Sequence, residues 1–328
     1  MIKKFFLSEK GKYLLRTAAA VAVVTLMVFI SDISGEKEII FPELAALALG
    51  AVICERMPWR VSTLQMAVFM TISAFLGWFL AKADGIPVFI RIMGGFIICS
   101  ILLIKTKSTM LPVLSACILP ILTNAQSILY PLSVIILTSE IILIRFLFKK
   151  WGIITSEKTK EEKLSRRDEI TRFIFVTAVL AIVTAISVSS GFTYLIAPPL
   201  IVAFAEISYP ESPAKKSPLI LIIAVIMCCI CGTAARLILC ETAKLPLFVG
   251  VFVAVAASFF VLTLLEKPFP PAAALAVLPF ILPHQAVVTY PLQSGAGIVI
   301  FVAAVIIYDY VRKHLSKKEC GEENDVLL

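Results

Sequence analysis

Residues 219–230 read Leu-Ile-Leu-Ile-Ile-Ala-Val-Ile-Met-Cys-Cys-Ile, without a charge or a hydroxyl. Residues 21–30, 97–104 and 298–307 are of the same kind. A lipid-spanning helix takes about 20 mainly apolar residues, and most apolar segments of this chain reach that length. A membrane β-barrel would instead alternate polar and apolar residues in strands of about ten, because one strand face lines the lumen. These runs are continuous, so the expected fold is an all-α, polytopic membrane bundle.

Composition agrees with that reading. Of the 328 residues 60% are hydrophobic and 16% charged, with a mean hydropathy of +0.99. A soluble domain carries about 25% charged residues, so a water-soluble fold is excluded. The start, Met1-Ile-Lys-Lys-Phe-Phe, is not followed by the short apolar stretch and small-residue cleavage site of a signal peptide, and the first apolar segment is expected to stay as a helix. The net charge of +8 is read as a record of membrane orientation, with no nucleic acid as partner. Among the eight cysteines, Cys228, Cys229 and Cys231 lack His or carboxylate neighbours and read as small buried residues. No metal, cofactor or disulfide framework is expected.

The apolar segments fall into two similar sets. Long ones lie near 13–30, 61–80, 86–104 and 131–148, and again near 170–188, 218–239, 245–265 and 294–311. Shorter ones lie near 40–54 and 110–122, and near 193–207 and 270–282. Landmarks match across the sets. Arg16, Ser34-Gly35 and Pro42 stand 156 residues before Arg172, Ser190-Gly191 and Pro198, and Pro58 and Gly77 stand 155 before Pro213 and Gly232. Pro87, Pro112 and Pro120 precede Pro246, Pro271 and Pro279 by 159, and Tyr130-Pro131-Leu132 precedes Tyr290-Pro291-Leu292 by 160. Small loop insertions produce such a slow drift, whereas shared hydrophobicity alone would not align prolines and glycines. The expected organisation is a first transmembrane repeat over 1–148, a charged cytoplasmic linker over 149–169, a second repeat over 170–312 and a cytoplasmic tail over 313–328. Each repeat has four long helices and two short segments, either broken or re-entrant.

If all twelve segments cross, every Lys and Arg except Lys37, Lys82, Arg91, Arg236 and Lys244 falls on one side. By the positive-inside rule that side is cytoplasmic and holds both termini of a protein of the cell membrane. Each half crosses an even number of times, so the repeats are parallel.

The short segments carry the functional expectation. About 14 helical residues rise only about 21 Å, less than the roughly 30 Å of hydrocarbon, so non-helical backbone must complete each one inside the protein. Broken helices at matching positions of two halves point to a transport site. Each opens on proline, a residue suited to the first helical turn: Pro42 before Glu43, Pro112, Pro198-Pro199, and Pro270-Pro271 before Ala272 and Ala273. Free N–H groups at those starts are expected to hold a small anion. Pathway candidates are Pro42, Glu43, Pro112, Ser115, Pro198, Pro199, Glu206, Pro270, Pro271, Ala272 and Ala273, with Gln126 and Gln285 as polar liners at the outer side. Arg91 and Arg236, near the outer helix ends, either attract an anion or snorkel to the interface.

The run at 197–219, Ala-Pro-Pro-Leu-Ile-Val-Ala-Phe-Ala-Glu-Ile-Ser-Tyr-Pro-Glu-Ser-Pro-Ala-Lys-Lys-Ser-Pro-Leu, and that at 269–278, Phe-Pro-Pro-Ala-Ala-Ala-Leu-Ala-Val-Leu, resemble the HPP transmembrane family. The resemblance covers most of 170–312 and is fainter in the first half. Family members carry His-Pro-Pro-Gly-Gly-Ala-Thr-Ala; here the histidine falls on Phe269 and the glycines on Ala272 and Ala273. The resemblance implies nitrite as a substrate class. The expected function is therefore a multi-pass permease or channel-like transporter for a small solute such as a small inorganic anion, with lipid and solute as partners and a homo-oligomer left open. A non-transporting assembly subunit and an integral-membrane enzyme are the alternatives. The enzyme is disfavoured because His284 and His314 are the only histidines and belong to no ligand cluster or nucleophile motif.

Overall fold

A computed structural model describes residues 8–155, 166–210 and 212–325, and every regular element among them is helical. Eight helices are long and apolar enough to cross a membrane: α1 (Glu9–Ser34), α3 (Thr63–Ala81), α4 (Val88–Thr106), α6 (Leu129–Lys150), α7 (Arg166–Ser190), α9 (Pro218–Ala235), α10 (Leu247–Leu264) and α12 (His284–Asp325). Four are short: α2 (Glu43–Ala48, carried on as a π-turn over Leu49–Ile53), α5 (Pro112–Thr123), α8 (Pro198–Ile207) and α11 (Pro270–Val277, followed by a 3-10 turn over Leu278–Ile281).

Helix ends follow local chemistry. Ser8 caps α1 by accepting from Gly11 N at 3.1 Å, and Gly35 closes it in the left-handed region at φ 72°. Ser62 and Gln65 form a reciprocal capping box at the start of α3. The last helix begins at His284, ten residues earlier than expected, and carries Pro291 inside it. That helix also continues through Asp325, so residues 313–325 are helical. Of the expected linker, 149–155 and 166–169 are described and 156–165 lie outside the described residues.

Contacts between chain-distant residues define two ends of the bundle. At one, Arg16 of α1 pairs with Glu55 beyond α2 at 3.2 Å, and Arg145 of α6 donates to the Ala51 and Glu55 carbonyls. At the other, Glu38 accepts from Gln126 N and Ser127 N at 2.9 and 2.8 Å, and Trp78 Nε1 of α3 donates to Gln126 O. So α2 and its flanking chain run from the Glu38 end to the Arg16 end. The same holds for α8, entered near Tyr194, which donates to Gln293 of α12, and left at Ser208, which accepts from Arg172 of α7 at 2.9 Å. α5 and α11 run the opposite way. Each of the four short segments thus leads from one end of the bundle to the other. α1 and α7 start at the same end, which is also where Arg312 near the end of α12 meets Asp168. This end is rich in Lys and Arg, whereas Lys37, Lys82, Arg91, Arg236 and Lys244 belong to the opposite one.

The short helices occupy the centre. α2 packs on α11, α11 on α8, α8 on α5, and α5 back on α2, closing a ring. The long helices surround it, with α3 and α4 beside α5, and α9 and α10 beside α11. Two seams join the halves: α1 on α10, through Tyr13 Oη and Thr263 Oγ1 at 2.6 Å and Phe248 N donating to Asp32 at 3.0 Å, and α4 on α7, where Phe96 stacks on Phe173. The outer surface is apolar, with Leu64, Phe79, Ile136, Ile182, Leu264 and Leu292 largely exposed, as an outer surface bathed in lipid would be.

Several contacts occur twice. Ser31 and Ser187 each donate to a carbonyl five residues on at 2.9 Å, from Glu36 and Phe192. Gly77 of α3 lies against the Cys117 carbonyl in α5, and Gly232 of α9 against the Ala276 carbonyl in α11; in each place a Cβ would collide with backbone. These glycines let long and short helices approach to backbone contact. Gly77→Ala is expected to cost about 1–3 kcal/mol, read as a lowered unfolding temperature in detergent. Gly94→Ala on α4, where a Cβ meets nothing within 4 Å, serves as the neutral comparison.

Candidate functional site

Prolines and alanines build the ring because they let helices come close without a side chain between them. Pro42, Pro112, Pro198, Pro199, Pro270 and Pro271 are all buried, as are Ala272 and Ala273. Their helix starts are not open anion cradles. The first-turn N–H groups are already used: Leu44 N and Ala45 N bond Phe41 O and Pro42 O, Val113 N bonds Met110 O, Leu200 N bonds Ala197 O, and Ala272 N bonds Phe269 O. The extended stretch before α2 is satisfied as well, Phe41 N donating to Met27 Sδ at 3.1 Å. Buried backbone must find such partners in an apolar interior, and here the chain supplies them itself. The expectation of free N–H groups for an anion is corrected accordingly.

The polar content of the ring is concentrated at Glu43, the first residue of α2, which is 1% exposed. Its Oε1 accepts from the Ser115 hydroxyl of α5, while Oε2 is buried without a hydrogen-bond partner among the described residues. The neighbouring carbonyl, Ala116 O, accepts from Tyr130 Oη of α6 at 2.7 Å, and the Tyr130 ring meets Phe41 edge-on at 6.3 Å. Three elements are thereby tied together around one carboxylate. On the other side of the ring Tyr290 Oη donates to Leu275 O at 2.8 Å in the same manner, but Pro199 and Ala274 stand where the residue spacings would put the counterparts of Glu43 and Ser115. The carboxylate–hydroxyl pair therefore occurs once.

Glu206 lies near the basic end of α8, and its Oε2 is also buried and unpartnered among the described residues. Beside it Arg172, itself 8% exposed, bonds Ser208 Oγ and covers the Tyr209 ring at 3.7 Å. Arg172 and Arg145 close the C-terminal ends of α8 and α2, where carbonyls are left over and positive charge is favourable.

Four expected site residues are not brought to the ring. Gln126 is exposed at the end of the bundle, its amide spent on Asn124 Oδ1 at 3.1 Å, and Gln285 is exposed at the same end. Both sit beyond the last turn of a short helix, so the chain has already left the core. Arg91 and Arg236 serve helix-end carbonyls. They are turned inward, 9% and 7% exposed, Arg91 donating to Ala81 O at 2.8 Å and Arg236 to Pro279 O and Leu282 O while pairing with Glu241 at 3.1 Å. Unpaired carbonyls at helix ends outcompete the interface for these guanidiniums. Tyr130 and Tyr290 were legible only as markers of repetition; nothing local signalled the carbonyls their hydroxyls reach.

Tyr130→Phe and Tyr290→Phe each leave a helix carbonyl without its donor, and each is expected to lower stability by about 1 kcal/mol, measured by thermal unfolding in detergent. Comparison with family models, with curated proteins and with solved structures finds no match for this chain.

Proposed function

We propose that the chain is a multi-pass permease in which a small solute passes through the ring of four short helices, and that its halves are two tandem, parallel copies of one six-helix unit. The observation that carries the transport reading is the ring itself: four proline-led, broken segments meet at the centre of a membrane-type bundle around one buried carboxylate–hydroxyl pair. A scaffold subunit has no use for a partnerless carboxylate oxygen in its core, where it is costly. The tandem reading is supported by the contacts that occur twice at matching spacing, from Ser31 and Ser187 to Gly77 and Gly232 and to Tyr130 and Tyr290. Placement in the cell membrane with the basic end and both termini cytoplasmic follows the positive-inside rule.

For substrate we propose a small inorganic anion, with nitrite the first to test because of the HPP-like runs at 197–219 and 269–278. Purified protein in liposomes is expected to take up nitrite faster than protein-free vesicles. Ala273→Leu, which adds a branched side chain at the centre of the ring, is expected to reduce uptake to background while the protein still elutes as a single species. Failure of the wild type to move nitrite, other small inorganic anions or weak acids would remove the permease reading.

A further inference from the structure

Glu43 has the wrong sign for an anion route. An ionised carboxylate in a water-excluded interior costs several kcal/mol unless it is paired, and the described residues around it offer no pairing cation. Of the elements packed on α2, α5 and α11 carry no Asp, Glu, His, Lys or Arg. α6 presents Tyr130, whose hydroxyl is committed to Ala116 O; its Glu140 is nearer the basic end, and Arg145, Lys149 and Lys150 lie at that end. The charges of α1 lie towards its two ends: Glu9, Lys10, Lys12 and Arg16, which pairs with Glu55, at one, and Asp32, which accepts from Phe248 N, at the other. A metal cation is poorly served too, because hard cations take about six or more oxygen ligands. Here the nearest hydroxyls have their hydrogens directed elsewhere, Ser115 towards Glu43 itself and Tyr130 towards a helix carbonyl. A proton requires no further ligands.

We propose that Glu43 binds a proton on Oε2, and that the O–H so formed is the hydrogen-bond donor the ring presents to its anion, so that proton and anion cross together as a neutral pair. This rests on the permease reading above. Ser115 holds Oε1 and leaves Oε2 as the atom that gains and loses the proton. The proton is taken from the aqueous phase on one side and released on the other, with no other bond made or broken. Because Pro199 and Ala274 occupy the corresponding places in the second half, the Glu43–Ser115 pair has no counterpart there, and at this pair one proton is coupled to one anion. Gln at position 43 keeps an acceptor for Ser115 and an N–H donor for the solute but has no proton to release, so Glu43→Gln separates coupling from packing.

Two measurements on the full-length protein test this. In proteoliposomes an inward proton gradient is expected to accelerate nitrite uptake by the wild type, with acidification of a trapped pH dye in step with it; protein-free vesicles subtract the passage of undissociated nitrous acid. Glu43→Gln is expected to lose that acceleration and the coupled acidification. In detergent, the infrared difference between wild type and Glu43→Gln should show a protonated-carboxyl C=O stretch that disappears on alkaline titration, and Ser115→Ala should shift its frequency by removing the hydroxyl from Oε1. Gradient-driven uptake that survives in Glu43→Gln, or uptake by the wild type that ignores the gradient, overturns the coupling while leaving the permease reading in place. If the wild type moves no nitrite, the permease reading for that anion fails instead, and the infrared band alone decides whether Glu43 holds a proton: its absence overturns the site.

Discussion

Every backbone N–H and C=O inside an apolar bundle has to find a partner within the protein, and the central architecture follows from that requirement. The short helices cannot span the hydrocarbon alone, so each is completed by extended or 3-10 chain that would be intolerable against lipid. Placing all four at the centre solves the problem, because neighbours supply the partners: Met27 Sδ for Phe41 N, Tyr130 and Tyr290 for carbonyls of α5 and α11, and Arg236 for the carbonyls that end α11. The long helices can then be nearly all apolar on their outer faces.

Close approach is the second consequence. A ring of four helices inside a shell of eight leaves little room, and the residues at the contacts are correspondingly small: Gly77 and Gly232 against carbonyl oxygens, and the alanines of α11, a helix packed against four others. In lipid, where burying apolar surface gives helices little reason to associate, such backbone-level packing and the hydrogen bonds it permits supply much of the attraction. Within that tight frame the buried carboxylates distinguish the halves chemically although their frames share contacts: the first half pairs Glu43 with Ser115, whereas the second supplies Glu206, nearer the basic end.

Much of the frame was legible in the chain because it depends on local properties. The number and place of apolar runs, the proline at each short-segment start and the clustering of Lys and Arg at one end are set by residues near one another in sequence. Small errors were local as well. The last helix was expected from about 294, yet it starts at His284 and carries Pro291 inside it. The site was less legible. Arg91 and Arg236 read as membrane-edge charges, yet they point inward because helix-end carbonyls needed donors. Gln126 and Gln285 read as liners because they follow short segments, yet by then the chain has emerged from the core.

Composition and periodicity, then, were enough for an all-helical chain with long apolar spans, four short proline-led interruptions and one strongly basic end, since hydrophobic run length and helix-start chemistry act within a few turns. The closure of the short segments into a ring and the meeting of Glu43 with Ser115, 72 residues away, belong to the packed chain alone. Which partner a buried polar group finds depends on how each helix is rotated and how deeply it is seated against its neighbours. That rotation is settled by the competition of all the helices for close contact and for each other's unpaired backbone groups.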